Sequence, residues 1–392
     1  MKVDLGPQLD RLMAAQERCD RLRDATLRSK PRDLCDLAYA NAYGGPPPFV
    51  IDAIKESLAG DRQLDFQYTP YGGATLSRRR ISESLSRQQG LRFPWRNIVL
   101  TPGAMAALNI VFRAVAALDS RAEVIVLTPG WLDYPLYLVN LGLRPVLVPL
   151  HPVTMRLDLN AIADAITPQT RAIVISQPAN PTGLIYSAAE LRDLAALLTE
   201  RGDDRIVLVS DECHRDILFD DARFVPTAPH YPATVVVYSF GKALFIQGQR
   251  IGYVAVSPQF PQADAFVTSL ERLCRVMGFC TPTALMQLAV RKLLDRPLDF
   301  SHIATRRQLI LDALADAAIV TQPSQATFFL YPKTPQGDDF EFAERLAKHG
   351  LLVLPAPVFH HSGHFRLSLT APDDQIERAA GILRQVASGS AV

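Results

Sequence analysis

The sequence lacks the features that would place the protein at a membrane, on a nucleic acid or in an oxidising compartment. Its 41 basic residues are balanced by 40 acidic ones, and this net charge of +1 predicts neither nucleic acid nor an anionic membrane as a partner. The five cysteines show no CxxC spacing, which argues against a disulfide framework or structural zinc. No apolar run reaches about eighteen residues, and the charged N-terminus lacks the apolar core of a signal peptide. We therefore predict a cytoplasmic protein.

What the sequence does contain is an alternation of short β-rich apolar runs with helical patterns. The runs span residues 123–127, 145–150, 171–176, 205–210, 233–238 and 251–256. Several are apolar without alternation, as strands covered on both faces are. A helical pattern lies over 188–199, with Ser187 placed to cap its first turn. These elements predict an α/β fold with a mostly parallel, doubly wound sheet and helices on both faces.

The length of 392 residues exceeds one average domain. We predict an N-terminal arm that joins the small domain (residues 1–44), a large domain (45–290) and a small C-terminal α+β domain (291–392). Further expectations are one or two long helices over 264–295, strands at 328–331 and 365–369, and an N-terminal amphipathic helix that packs on the small domain.

Polar sequences follow four of the predicted strands, and in parallel sheets the carboxyl ends of the strands form the ligand crevice. The most informative sequence is Ser239-Phe-Gly-Lys242-Ala-Leu-Phe-Ile-Gln-Gly-Gln-Arg250. A lysine amine can condense with an aldehyde, while a serine hydroxyl and a guanidinium hold a phosphate. The alternative is a surface lysine and arginine on a loop with incidental glycines.

Two further strand ends carry candidate groups. Asp211 ends a strongly apolar strand, and its carboxylate can keep a pyridine nitrogen protonated. The alternative is an aspartate that caps the next helix. Asn180, in Gln-Pro-Ala-Asn-Pro-Thr-Gly, can donate from a rigid turn to a phenolate oxygen, although such turns are common without function.

The order of these three motifs resembles that of the fold-type I pyridoxal 5′-phosphate (PLP) enzymes, specifically the class I/II aminotransferases typified by aspartate aminotransferase. The resemblance covers nearly the whole chain and implies PLP as cofactor. In that family the lysine, here Lys242, forms the internal aldimine and later moves the Cα proton through carbanion (quinonoid) chemistry. The resemblance assigns the pyridinium contact to Asp211, the ring O3′ contact to Asn180, and the phosphate contacts to Ser239 and Arg250.

Weaker matches extend the resemblance. Gly103, Ala104 and Met105 resemble the helix start whose backbone amides hold the phosphate, and Ala104 and Met105 have no hydroxyl to add. Trp131 resembles the aromatic residue stacked on the pyridine ring; Tyr134 is the second candidate, and a tryptophan packed in the core is the alternative.

The resemblance also implies partners. Tyr68 resembles the tyrosine that reaches the partner's phosphate, which implies a homodimer with shared sites. Arg366 resembles the arginine that binds the substrate α-carboxylate, with a rim salt bridge as the alternative. Gly45 and Asn180 join Arg366 in the implied substrate site.

The sequence departs from the family pattern at two positions. His214 stands where the family usually has a tyrosine that donates to O3′, and we expect its charge to change near neutral pH. Phe245 stands where the lysine loop normally has a small residue, and we expect it to crowd the site or reshape its wall. The histidines His360, His361 and His364 have no paired acid or cysteine nearby, so we predict no metal site there and expect them to line the substrate entrance.

These observations favour a PLP-dependent aminotransferase that acts on an L-amino acid and a keto acid. The closest alternative is a β- or γ-eliminating lyase of the C–S lyase type, or a cyclase on the same fold, which His214 and Phe245 favour. A non-catalytic regulator is the remaining alternative. We expect the short N-terminal extension to leave no room for a DNA-binding winged helix, and intact Lys242 and Asp211 also argue against a regulator.

Overall fold

The computed structural model describes residues 6–29, 34–41, 44–60, 66–202, 205–279, 281–322, 324–335 and 337–387. The helices are α1 (Pro7–Ser29), α2 (Pro48–Leu58), α3 (Thr75–Gln89), α4 (Gly103–Leu118), α5 (Tyr134–Asn140), α6 (Leu159–Ala165), α7 (Ala188–Gly202), α8 (Phe240–Ala243), α9 (Ala263–Met277), α10 (Ala284–Leu293), α11 (Ser301–Asp316), α12 (Asp339–Lys348) and α13 (Asp373–Ala387). The strands are β1 (Cys35–Asp36), β2 (Ile98–Thr101), β3 (Glu123–Thr128), β4 (Arg144–Pro149), β5 (Thr170–Ser176), β6 (Val207–Asp211), β7 (Thr234–Ser239), β8 (Gly252–Val256), β9 (Phe329–Leu330), β10 (Leu351–Leu352), β11 (Leu354–Pro355) and β12 (Phe365–Ser368).

The main sheet has the strand order β2-β8-β7-β6-β5-β3-β4 within the described residues. All its neighbouring pairs are parallel except those of β8, which runs antiparallel to β2 and β7. The six strands predicted from the apolar runs are confirmed, as is the α/β fold with a mostly parallel sheet. Strand β2 was missed because its four residues fall directly before a loop that resembles a phosphate-binding turn.

The apolar runs form strands because both faces of the sheet are covered. In β3, Val124 and Val126 pack in the cluster that contains α4 and α9, whereas Ile125 and Leu127 pack in the cluster that contains α6 and α7. Burying each such side chain contributes about 1.5–3 kcal/mol to folding. Helices cover both faces of the sheet, so a ligand can reach it at the carboxyl ends of its strands, where ligands bind in such folds.

Helix α7 begins where the sequence predicted. The Ser187 hydroxyl accepts from the backbone N–H of Glu190, and the Glu190 carboxylate accepts from the backbone N–H of Ser187. This reciprocal capping box satisfies two donors that the first turn of a helix leaves unpaired. The predicted N-cap is therefore confirmed.

The first and last parts of the chain pack together. Strand β1 pairs in parallel with β10, and Cys19 of α1 lies in one apolar cluster with Phe340 and Leu352. The predicted packing of the N-terminal helix on the C-terminal region is confirmed, as are two helices within 264–295 and strands at both predicted C-terminal positions. The predicted domain boundaries stay a prediction. Among the described residues, no helix is long and apolar enough to cross a bilayer.

Candidate active site

A cleft opens where β5, β6 and β7 end, and the carboxyl ends of parallel strands are where ligands bind in such sheets. Register explains the meeting of these ends, because Ser176 pairs with Asp211 and Ser239 lies two residues beyond the partner of Asp211. The cleft is lined by Ala104, Met105, Leu108, Trp131, Ser176, Asn180, Asp211, Cys213, His214, Ser239, Gly241, Lys242, Gln247 and Arg250. Nine of the predicted site residues are thus brought together.

Five lining residues were not predicted: Leu108, Ser176, Cys213, Gly241 and Gln247. Four of them lie within a few residues of a predicted one, so the strand-end argument would have found them as neighbours. None of these five residues carries a charge at neutral pH, so a pattern of charged side chains does not single them out.

At one end of the cleft the start of α4 lies close to the side chain of Arg250. Gly103 begins α4 with a φ of 79°, and a Cβ placed there would lie 2.8 Å from Nη2 of Arg250. Nη1 of Arg250 donates to the backbone carbonyl of Gln247 at 2.7 Å. A guanidinium, a helix N-terminus and the Ser239 hydroxyl at the same end make an environment suited to an anion.

Lys242 is carried by α8, the short helix that follows β7. Ser239 caps this helix, its hydroxyl accepting from the backbone N–H of Gly241 at 3.3 Å. Burial lowers the pKa of Lys242 to about 8, with Arg366 and Arg250 acting in the same direction and Cys213 opposing it. A substantial fraction of the amine is therefore neutral near pH 8 and can attack an aldehyde.

Asp211 is buried, with 8% of its surface exposed, and no basic group lies within 4.0 Å of it among the described residues. Its Oδ2 accepts from the Tyr134 hydroxyl at 2.7 Å, and its Oδ1 accepts from the backbone N–H of Cys213 at 3.1 Å. Both bonds fix the position of the carboxyl group.

Trp131 lines the cleft, while Tyr134 is fully buried behind it. The ring of Trp131 meets the ring of Tyr134 edge-on, with centroids 5.2 Å apart and planes at 81°. Because the Tyr134 hydroxyl is bonded to Asp211, Tyr134 is a support for the carboxylate and Trp131 is the candidate for stacking on a bound ring.

His214 lines the cleft near the cationic side chains of Lys242 and Arg366. Its ring meets those of Phe328 and Phe329 edge-on, and its Nδ1 has no hydrogen-bond partner among the described residues. Burial, and then the cations Lys242 and Arg366, lower the pKa of His214 well below its ordinary value. The expectation that its charge changes near neutral pH is wrong, because a buried imidazole beside two cations stays neutral.

Arg366 is 4% exposed and lies on β12. Its Nη1 donates to Oδ1 of Asn180 at 3.2 Å and its Nη2 donates to the carbonyl of Ala38 at 2.9 Å, whereas Nε has no partner. Its guanidinium lies 4.1 Å from the centroid of the Phe329 ring. No carboxylate lies within 4.0 Å among the described residues, so the rim salt bridge considered from the sequence is wrong.

Three residues singled out from the sequence lie away from the cleft. Phe245 packs against Phe300 and His302, so the expectation that it crowds the site is wrong. Gly45 lines a separate cleft with Phe245 and His302, and its contact with substrate stays a prediction. Tyr68 is fully exposed, and its contact with a partner subunit stays a prediction.

The three C-terminal histidines are not among the residues that line the cleft. The ring of His364 stacks on Tyr331 with centroids 4.9 Å apart, and His361 Nδ1 lies 3.1 Å from the Tyr331 hydroxyl. Burial, followed by the charge of His364, lowers the pKa of His361 to about 4. Within the described part of the chain, no group of three or more His, Cys, Asp or Glu side chains is arranged to hold a metal ion.

Comparison with known proteins connects this cleft to a reaction class. The model of the family "Aminotransferase class I and II" matches residues 32–383. The chain is 31% identical over 368 residues to a probable aspartate/prephenate aminotransferase of Thermus aquaticus, with 91% of this chain and 92% of the relative covered. It is 27% identical to the aspartate aminotransferase of Geobacillus stearothermophilus, with 90% and 91% covered.

Solved structures show the same likeness. An amino transferase from Eubacterium rectale matches with a TM-score of 0.89 and 25% identity over 96% of this chain and 95% of that one. The aspartate aminotransferase of Thermus thermophilus with maleate matches with a TM-score of 0.83 and 26% identity, over 98% of this chain and 100% of that one. These comparisons give the lyase alternative no support. The chain is a member of the class I and II aminotransferases, PLP-dependent enzymes of fold type I.

Proposed function

We propose that this aminotransferase binds PLP in the cleft at the strand ends and moves an amino group from an L-amino acid to a keto acid, with Lys242 as the cofactor attachment point and proton carrier. The observation that carries the assignment of residues is that Lys242, Asp211 and Asn180 line one cleft, while the buried Arg366, which does not line it, donates to Asn180 and has no carboxylate partner among the described residues. Each of these groups has one chemical task in such a transfer.

The described residues fit PLP at both ends. A phosphate suits the end where Arg250, Ser239 and the start of α4 meet, because all three offer donors. Asp211, at the end of the neighbouring strand, suits the pyridinium nitrogen of the same cofactor. When bound, PLP withdraws electrons from the α-carbon of the amino acid.

Lys242 performs the proton transfers in this proposal. With its pKa lowered to about 8, the amine accepts a proton from the α-carbon and can return it elsewhere on the substrate. Its Nζ lies 5.4 Å from the centroid of the Phe328 ring, a wall that keeps water from that side. Burial therefore both lowers the pKa of the lysine and shields the proton it carries.

Asp211 holds positive charge on the ring nitrogen. Its two hydrogen bonds, from Tyr134 and from the backbone of Cys213, hold the carboxyl group in a buried position. A carboxylate fixed there keeps the facing nitrogen protonated, and a protonated ring accepts electrons more readily.

Arg366 is the proposed partner of the substrate α-carboxylate. Burial lowers the pKa of Arg366 because no anion compensates its charge. A carboxylate would compensate it, and the planar guanidinium can form two parallel bonds to one. The bond from Arg366 to Oδ1 of Asn180 orients the Asn180 amide so that its NH₂ group is available as a donor.

His214 remains neutral beside these cations. A neutral imidazole adds no further positive charge next to Lys242, which preserves the free amine. Its unpaired Nδ1 can bond to a polar group of the cofactor or substrate, in the position where the family usually has a tyrosine hydroxyl.

A homodimer with shared sites is part of the proposal. Two groups of large side chains are exposed in the single chain, one around Tyr68 and one at the end of α9 and just after it, and few monomers leave such side chains exposed together. They are Phe66, Tyr68, Tyr71, Val276 and Phe279. Tyr68 is free to extend towards a second copy.

The substrate test is a half-reaction. The holoenzyme is mixed with a panel of L-amino acids without a keto-acid acceptor, and cofactor and products are identified by mass spectrometry. Aspartate and aromatic amino acids head the panel because relatives are named for aspartate, prephenate and tyrosine. One equivalent of keto acid per site with pyridoxamine phosphate identifies the donor, whereas many turnovers with PLP retained would mean elimination or cyclisation.

A further inference from the structure

We infer that the side-chain amide of Gln247 donates a hydrogen bond to the cofactor phosphate and is a cofactor-binding residue of this chain. This inference rests on the proposed function, in which PLP occupies the cleft with its phosphate between Arg250 and Ser239.

The first observation concerns an unpaired donor. Gln247 lines the cleft, and its Nε2 is buried from solvent with no acceptor within hydrogen-bonding distance among the described residues. Buried amide nitrogens are almost always paired in folded proteins, because an unpaired donor loses its bonds to water without replacement. An acceptor supplied by a ligand in the cleft would pair this one.

The second observation concerns where Gln247 is held. Its backbone carbonyl accepts from Nη1 of Arg250 at 2.7 Å, so the residue that orients the guanidinium also carries the unpaired amide. On its other side, a Cβ placed on Gly241 would lie 3.1 Å from Cα of Gln247 and 3.4 Å from Oγ of Ser239. Gln247 thus lies close to both predicted phosphate-binding side chains, and Gly241, which has no side chain, permits that approach.

The third observation concerns what the opposite wall lacks. The start of α4 is Gly103-Ala104-Met105, which offers backbone N–H groups and no hydroxyl. A phosphate dianion has three terminal oxygens and accepts several bonds. The amide of Gln247 would add a donor without adding charge. It would thus provide the side-chain hydrogen bond to the phosphate that the start of α4, which has no hydroxyl, cannot provide.

The test measures cofactor affinity and needs no turnover. Apoenzyme is titrated with PLP, and separately with pyridoxal, which has the same ring and aldehyde but no phosphate. Gln247→Ala is expected to weaken PLP binding by about tenfold and leave pyridoxal binding unchanged, since only the phosphate loses a bond. Gln247→Glu is expected to weaken PLP binding by about a hundredfold or more, because a carboxylate would face the phosphate.

Gln249→Ala is the matched control, since Gln249 is exposed on the same turn and does not line the cleft. It is expected to leave both affinities unchanged. Equal weakening of PLP and pyridoxal by Gln247→Ala would mean that the residue only shapes the loop, and unchanged PLP affinity would mean that it does not contact the phosphate. Either result overturns the inference.

The wild type separates this failure from failure of the proposed function. If wild-type apoenzyme takes up PLP and Lys242→Ala alters the absorbance of the bound cofactor, the proposed function stands, and the Gln247 variants decide the inference alone. If wild-type apoenzyme binds PLP no more tightly than pyridoxal, the phosphate has no site in the cleft and both proposals fall.

Discussion

The two ends of the cleft are assembled in different ways. The end with Lys242, Asp211 and Ser239 is built from adjacent strands of one sheet, whose register fixes the spacing of the side chains. At the other end the lining residue Asn180 is bonded to Arg366 of β12, which also donates to the carbonyl of Ala38, so this end joins segments that are far apart in the sequence. Cofactor chemistry therefore rests on the sheet, and substrate recognition rests on contacts between distant segments.

The difference has a chemical counterpart. At the sheet end the buried carboxylate of Asp211 accepts two hydrogen bonds, and the guanidinium of Arg250 belongs to an exposed residue. At the other end Arg366 is buried with only neutral acceptors. An uncompensated buried cation is costly unless an anion arrives, so this end is prepared for a ligand that comes and goes.

The largest effect is expected at the sheet end. Lys242→Ala should lower turnover by about 10⁴-fold or more, because both the covalent attachment and the proton carrier are lost. PLP should still bind through the remaining contacts. Steady-state kinetics and cofactor titration measure the two effects, with Lys55→Ala on the exposed face of α2 as the control. Turnover by the Lys242 variant near the wild-type rate would remove the assignment.

A smaller effect is expected at the other end. Arg366→Lys keeps the charge but loses the planar fork, so kcat/KM for the amino acid should fall by about 10- to 100-fold. PLP affinity should not change, because Arg366 lies on the substrate side. Arg192→Lys, at an exposed position of α7, is the control. Weakened PLP binding with unchanged kcat/KM would contradict the division of the cleft into two ends.

The smallest effect is expected for His214, which lines the cleft near Lys242 and Arg366. Its folded-state pKa is well below the ordinary value of about 6.5, so below that pH the unfolded chain takes up a proton that the folded chain does not. The folded state therefore loses up to about 1.4 kcal/mol per pH unit as pH falls below 6.5. His214→Asn should remove that contribution.

Urea unfolding of the apoenzyme at several values of pH between 5 and 7.5 measures the effect. His214→Phe should give the same reduced slope, since agreement between a polar and an apolar replacement isolates titration from packing. If the free energy of unfolding changes with pH equally in wild type and both variants, His214 is not the group that titrates.

The sheet and the residues at its strand ends could be predicted from the sequence because the relevant signals are local. Apolar runs such as 171–176 and the spacing from Ser239 to Arg250 lie within short segments. The surroundings of single side chains could not be predicted. The neutral state of His214 depends on burial beside Lys242 and Arg366, and the position of Phe245 depends on packing against Phe300, neither of which a motif encodes.

Gln247 illustrates the same limit from the other direction. In the sequence, Lys242 and Arg250 identify the loop that carries the lysine. Gln247 between them gives no comparable signal, because amide side chains are common in loops. Only the three-dimensional structure reveals that its Nε2 is buried and unpaired in the cleft.

The pairing of β1 with β10 has a consequence for biosynthesis. Residues 35–36 leave the ribosome about 300 residues before their partners at 351–352. At roughly 5–20 residues per second, that separation corresponds to roughly 15–60 seconds of translation. Residues 35–38 therefore have neither their strand partner β10 nor the contact with Arg366 until nearly the whole chain has been made. The end of the site proposed to bind the substrate α-carboxylate, around Arg366, is therefore the last part of the site to assemble.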